Sequence, residues 1–120
     1  MTSITFKLAL FKTINQYKKL HFEIQEEDFK YLQALFNKKY ENRLEGPILP
    51  TKPFYEYNGK YYADVSLNRW QTDDRTLMKL PEKVDPNKEC ALSAVIEFYN
   101  FKGRDNLTKE GMVIRFVKMN

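Results

Sequence analysis

Pro53 to Trp70 reads PFYEYNGKYYADVSLNRW, and this stretch decides the fold. Asn58-Gly59 separates two alternating aromatic runs, and Asn-Gly is the pair that best tolerates the positive φ angles of a type I′ hairpin turn. With those two residues as the loop, Tyr57 faces Lys60, Glu56 faces Tyr61, Tyr55 faces Tyr62 and Phe54 faces Ala63. Opposed residues share a face of the sheet. One face therefore carries Tyr55, Tyr57, Lys60 and Tyr62, and the other carries Phe54, Tyr61, Ala63, Val65 and Leu67. The second set reads as core. The first is a row of tyrosines beside a lysine, on the side that meets water.

Four readings of that row follow from its chemistry. Tyrosine is a good strand former and can form a second buried face with only its hydroxyl wet. It is enriched at protein–protein contacts. Flat rings beside lysines also make a platform for single-stranded nucleic acid, whose bases stack on them at ~1–3 kcal/mol each. A sugar or other small molecule is the fourth. On this stretch alone, burial and protein contact stand ahead of nucleic acid.

Upstream, Ile4 to Thr13 alternates strictly, predicting a strand with Ile4, Phe6, Leu8 and Leu10 in the core and Thr5, Lys7, Ala9 and Phe11 on a mixed face. Phe11 turns inward if the strand bends. A polar turn at residues 15–19 precedes a second strand in which Leu20, Phe22 and Ile24 alternate with His21 and Glu23. His21 is the single histidine; with no ligand partner at metal spacing, it reads as an ordinary surface residue. A helix follows from Glu26 to about Asn42, its apolar stripe formed by Phe29, Leu32, Leu35, Phe36 and Tyr40. Acids at its start and Lys38-Lys39 near its end suit the helix dipole. Residues 42–52, with Gly46-Pro47 and Pro50, form a connector into the hairpin.

Downstream, Asn68 to Glu89 shows no regular pattern, and a loop of that length inside a compact domain is usually functional or mobile. Cys90 to Lys102 returns to strand, with Leu92, Ala94, Ile96 and Phe98 as its buried face. The last strand, Met112 to Lys118, sets Ile114 and Phe116 on one side and Arg115 on the other. The two form an antiparallel ribbon whose basic tip is lined by Tyr99, Phe101, Lys102, Arg104 and Arg115.

The 120 residues suit one domain, and 42% hydrophobic with 15% aromatic residues is ample for a packed core. A net charge of +4 is compatible with nucleic acid or an acidic surface, without deciding between them. Cys90 has no partner for an intrachain disulfide and reads as a buried, reduced thiol. No stretch approaches the length that spans a bilayer, and the opening residues alternate like a strand instead of running apolar like a signal peptide. No membrane association is expected.

Catalysis needs a nucleophile beside a base, a metal cage or paired acids. One histidine and one cysteine in structural settings supply none of these, so the chain reads as a non-enzyme with no metal and no cofactor. Asp73-Asp74 could hold Mg²⁺ in a nuclease, but beside Arg69 and Arg75 the pair is more simply a solvated turn.

The order strand, strand, helix, hairpin, long loop, ribbon predicts a mainly β domain with one helix (α+β). The expected architecture is a small antiparallel barrel, OB-fold-like or a variant of it. A standard OB-fold places its helix after the third strand; here it follows the second. Either the first strand bends into two, or the barrel is a variant.

The Lys-, Asn- and Tyr-rich usage carries a wider likeness. With the opening SITFKLALFK, the hairpin FYEYNGKYYADV and the closing ribbon ALSAVIEFYNFKG to GMVIRFVKMN, it resembles the small single-stranded-DNA-binding proteins of lactococcal bacteriophages. The resemblance spans the whole chain and rests on overall character, with no diagnostic motif. It implies an OB-type barrel and sequence-tolerant binding of single-stranded DNA in phage replication and recombination. It also implies self-association; exposed aromatics and an edge strand at either terminus point to a homodimer, expected in the host cytoplasm beside recombination or replication proteins.

On this reading bases stack on Tyr55, Tyr57, Tyr62 and Tyr99, with Trp70 and Phe101 as further rings. Lys7, Lys60, Lys102, Arg104 and Arg115 neutralise phosphates, and most weight falls on Tyr57, Lys60 and Tyr62. The rival reading is a small viral interaction module that inhibits or redirects a host factor through the same aromatics.

Overall fold

The computed structural model describes residues 2–14, 19–41, 50–67, 89–104 and 108–119. Its elements are β1 (Thr2–Ile14), β2 (Lys19–Ile24), α1 (Glu26–Tyr40), β3 (Phe54–Tyr57), β4 (Lys60–Ser66), β5 (Glu89–Lys102) and β6 (Thr108–Met119). The span 68–88, with Trp70 and Asp73-Asp74, lies outside the described residues, as do the polar turn at 15–18 and most of the connector.

The hairpin has the register that its sequence dictates. Phe54, Tyr55, Glu56 and Tyr57 pair with Ala63, Tyr62, Tyr61 and Lys60. Asn58 and Gly59 take φ of 51° and 77°, the two positive values that a type I′ turn requires.

Around this hairpin a mainly β barrel closes. β1 pairs with β2, β2 with β4, β4 with β6, β6 with β5 and β5 with β1. Among these five ring pairings of the described residues, the β4–β6 contact, Val65 with Ile114 and Ser66 with Arg115, is the parallel one. This is an OB-type ring of five strands in which β2 and β4 are the second and third. No strand has been split to make it: β1 is one long strand whose first part pairs with β5 and whose last part pairs with β2, with Leu10 in both ladders. The barrel is thus the variant, with α1 and β3 inserted between its second and third strands.

β3 lies against the same edge of β4 that β6 uses further along, and the chain leading into it stitches the gap. Thr51 N–H donates to Glu110 O at 2.9 Å, and Met112 N–H donates to Thr51 O at 3.0 Å. Gly111 allows this approach, because a Cβ there would lie 2.7 Å from Thr51 Cβ, N and O.

Two bulges redistribute the apolar side chains. Phe6 pairs with Leu92 but Ala9 pairs with Cys90, so β1 spends three residues where β5 spends two. The extra residue inverts the alternation. Ile4 and Phe6 point into the core, then Ala9 and Phe11 do, while Leu8 is 41% exposed and Leu10 half-buried. The strict alternation expected for β1 therefore fails after Phe6, and Phe11 is core. A second bulge in β6, opposite Ser93 and Ala94, leaves Val117 outside.

The core rows follow the registers. Phe11, Phe22, Ala63 and Phe54 form one line across four strands, all buried, with the Phe11 and Phe22 rings edge-on at 5.6 Å. α1 backs the hairpin: Phe29 meets Phe54 edge-on at 5.5 Å and Tyr61 at 4.7 Å, and Phe36 meets Phe54 at 6.0 Å. Tyr61, expected in the core, is half-buried at its rim, and its hydroxyl donates to Glu26. Phe98, also expected in the core, is 36% exposed. β5 runs on there past its pairing with β1, and the ring packs edge-on against Tyr40 at 5.9 Å, with the Lys39 ammonium 5.6 Å from its centre.

Candidate nucleic-acid interface

The inner face of the hairpin is sealed by the barrel and by α1, which leaves its outer face as a rigidly backed surface. Tyr57 is 63% exposed and Tyr55 43%, so the reading of this row as a second buried face does not hold for either. Tyr62 is half-buried beside them.

The register of β2 on β4 brings a third ring to this pair. His21 lies opposite Asp64 and diagonal to Tyr62. The ring centres of Tyr55, Tyr62 and His21 are 5.2, 5.1 and 5.8 Å apart, and their planes lie within 27° of one another. Three near-parallel rings from three strands thus make one aromatic tile. Offset, near-parallel rings are the favourable arrangement for such groups.

Hydrogen bonds fix the tile. His21 Nδ1 lies 2.9 Å from Asp64 Oδ1, and the Tyr55 hydroxyl lies 3.2 Å from His21 Nε2. A carboxylate only accepts, so Nδ1 carries the proton of the neutral ring and Nε2 accepts from the phenol. Burial, then the Asp64 charge and Tyr62, push the Tyr55 phenol above its ordinary range, which keeps it a donor. His21 is therefore no ordinary surface residue. It is the joint of the tile.

The cations are placed less simply than the sequence suggests. Lys60 reaches back across the face to Glu23, with Nζ 3.6 Å from Oε1. That oxygen is shut off from solvent and makes no hydrogen bond, so the lysine serves it as a countercharge just beyond bonding reach. Arg115 donates through Nε to Glu97 Oε2 at 2.7 Å. It is not at the ribbon tip: its neighbours in register are Val95 on one side and Ser66, then Lys19, on the other. It borders the tile instead.

Lys102 and Arg104 are exposed at the tip of the β5–β6 ribbon. Tyr99 is half-buried in that ribbon; Phe101 belongs to β5, and its side chain, like Trp70, lies outside the description. Because β4 and β6 run parallel, their starts point the same way. The tyrosine hairpin and the basic ribbon thus project toward one end of the barrel. Lys52, not singled out by sequence, stands between them with its ammonium 4.9 Å from the Phe54 ring centre. Lys7 sits in the β5-paired half of β1, where its charge is felt by Asp28 at the start of α1, away from the tile.

The surface can stack flat groups and attract anions at its margins. Among the described residues, no group of three His, Cys, Asp or Glu side chains stands together to hold a metal.

No protein-family model and no curated protein sequence matches the chain. Among solved structures it is similar to the mitochondrial single-stranded DNA binding protein Rim1 of S. cerevisiae, with a TM-score of 0.45 and 10% identity. The match covers 99% of this chain and 90% of that one.

Proposed function

We propose that the chain binds single-stranded DNA with little sequence preference, stacking bases on Tyr55, Tyr57 and Tyr62. Lys60, Lys102, Arg104, Arg115 and Lys52 would hold the phosphates around them. The observation that carries this reading is the set of near-parallel rings on β2, β4 and β3, open to solvent at Tyr55 and flanked by the still more exposed Tyr57. In OB-folds generally, the face of the second and third strands takes oligonucleotides, and here those strands are β2 and β4. Tyr99, with Trp70 and Phe101, would extend the path. A role in phage replication and recombination, in the host cytoplasm and as a homodimer, belongs to the same proposal and draws on the resemblance given above.

The rival interaction-module reading also has an observation behind it, since the tile contains two acids, Glu23 and Asp64. Titration of labelled oligo-dT, followed by fluorescence anisotropy across salt, separates the two. Saturable binding that weakens as salt rises is expected, and Tyr57→Ala, at a position already solvated, should lose ~1–3 kcal/mol of it without altering the melt. No binding at low salt overturns the proposal in favour of the interaction module.

A further inference from the structure

His21 is the one member of the tile that stacking leaves without a task. Both of its ring nitrogens are engaged, one by a carboxylate and one by an exposed phenol. Imidazole is the side chain that changes charge unaided between about pH 5 and pH 8, and this is the chain's single histidine. We infer that His21 is a proton-linked contact for the bound strand: it takes up one proton on binding and meets a phosphate as a cation. This deepens the single-stranded-DNA reading and rests on it.

The geometry sets out what the proton does. In the neutral tile Nδ1–H donates to Asp64 and Nε2 accepts from Tyr55, so every polar atom of the ring is spent internally. A proton from solvent converts Nε2 into a donor. The bond to Asp64 survives and becomes charge-assisted. The phenol can no longer donate to Nε2; its oxygen accepts from Nε2–H instead, which turns its own O–H outward on the exposed side. One protonation thus reverses the closed chain and leaves the Tyr55 hydroxyl as an outward donor backed by a cationic ring. A phosphate, which offers only acceptors and carries negative charge, fits that arrangement.

The surrounding charges leave this role to His21. β4 contributes Asp64, Tyr62 and Lys60; β3 contributes Tyr55; β1 contributes Thr13, opposite His21, with Lys12 beside it; β2 itself contributes Lys19 and Glu23. Glu23 is matched by Lys60, so Asp64 is the acid that supports the imidazolium. Tyr55 keeps its proton throughout this range. Lys19 and Arg115, flanking Ser66 in the next outward row, continue the cationic border along which a strand would run.

The test uses oligo-dT, whose base does not titrate in this window, with the whole chain and with His21→Gln, whose amide can still donate to Asp64. Affinity is measured at about pH 5.5 and about pH 8, a window that brackets the imidazole range, each across a salt series. The native chain should bind more tightly at the lower pH. Its log–log salt slope should steepen there by roughly 0.7, the increment for one more phosphate neutralised on a single strand. His21→Gln should show neither change. Asp64→Asn, which removes the acid supporting the imidazolium, should move the tightening to lower pH, and melts of each variant check folding. Equal affinity at both pH values, an unchanged salt slope, or a pH effect that persists in His21→Gln overturns the inference while leaving DNA binding in place. Absence of binding to oligo-dT by the native chain at either pH defeats the reading beneath it as well.

Discussion

Lys60 and Arg115 already have carboxylate partners, so a phosphate reaching either must compete with Glu23 or Glu97. A solvent-exposed pair contributes about 1 kcal/mol or less, so the exchange costs little at Arg115. It is cheaper at Arg115, whose partner is 30% exposed, than at Lys60, whose partner Glu23 is only 18% exposed and holds an oxygen sealed from water. Sequence spacing could place these cations but not their partners. The same limit hid His21, because its link to Asp64 spans 43 residues and exists only once β2 lies on β4. Cys90, expected buried, is half-buried, its Sγ 3.4 Å from Ala9 O, and burial holds it above the usual thiol range. Since the folded thiol keeps its proton more tightly than the unfolded one, its contribution to stability is complete below the unfolded value. It is lost as pH rises from about 8.5 through the folded value. Alkylation near pH 8 should therefore be slow until denaturant is added. Urea midpoints should fall between pH 8 and pH 10 by less in Cys90→Ala than in the native chain.

Elements were readable where their pattern is local. The hairpin needs only an alternation and a two-residue turn, both written within residues 54–63, and its register came out residue for residue. α1 was equally plain from its apolar stripe, with Phe29, Leu32, Phe36 and Tyr40 buried. β1 was not, because no residue type announces the bulge between Phe6 and Ala9; only the pairing with β5 reveals it. An ungapped alternation buries Leu8 and exposes Phe11, while the bulged strand does the reverse. Substitution tells the two apart. Leu8→Lys should change the urea unfolding free energy by no more than ~0.5 kcal/mol, as surface changes do. Phe11→Ala, at a site 3% exposed and packed on Phe22, should cost ~3–5 kcal/mol. A large loss at Leu8 with a small one at Phe11 would restore the simple alternation.

At the scale of the molecule, the inserted α1 and β3 leave β4 with two neighbours on one edge, β3 along its first half and β6 along its second. Barrel closure on that side rests on two parallel pairs, Val65 with Ile114 and Ser66 with Arg115, and on the bridge of Thr51 to Gly111. Nothing in the sequence at Thr51 or Gly111 signals that bridge, since parallel contacts between distant strands leave no local trace. Its geometry still yields a sharp expectation. A methyl group at Gly111 would meet the backbone N and O of Thr51 at 2.7 Å, and backbone cannot swing aside as a side chain would. Gly111→Ala must then part the two chains and lose the hydrogen bonds Thr51 N–H to Glu110 O and Met112 N–H to Thr51 O. At ~1 kcal/mol each, two such bonds amount to roughly 2 kcal/mol. The loss should appear as a lower urea midpoint and as faster amide exchange confined to Thr51, Met112 and their neighbours, with the hairpin amides of β3 and β4 unchanged. If exchange quickened along the whole hairpin as well, the bridge would be holding the tyrosine tile in place, and Gly111→Ala would weaken oligo-dT binding from outside the surface that touches it.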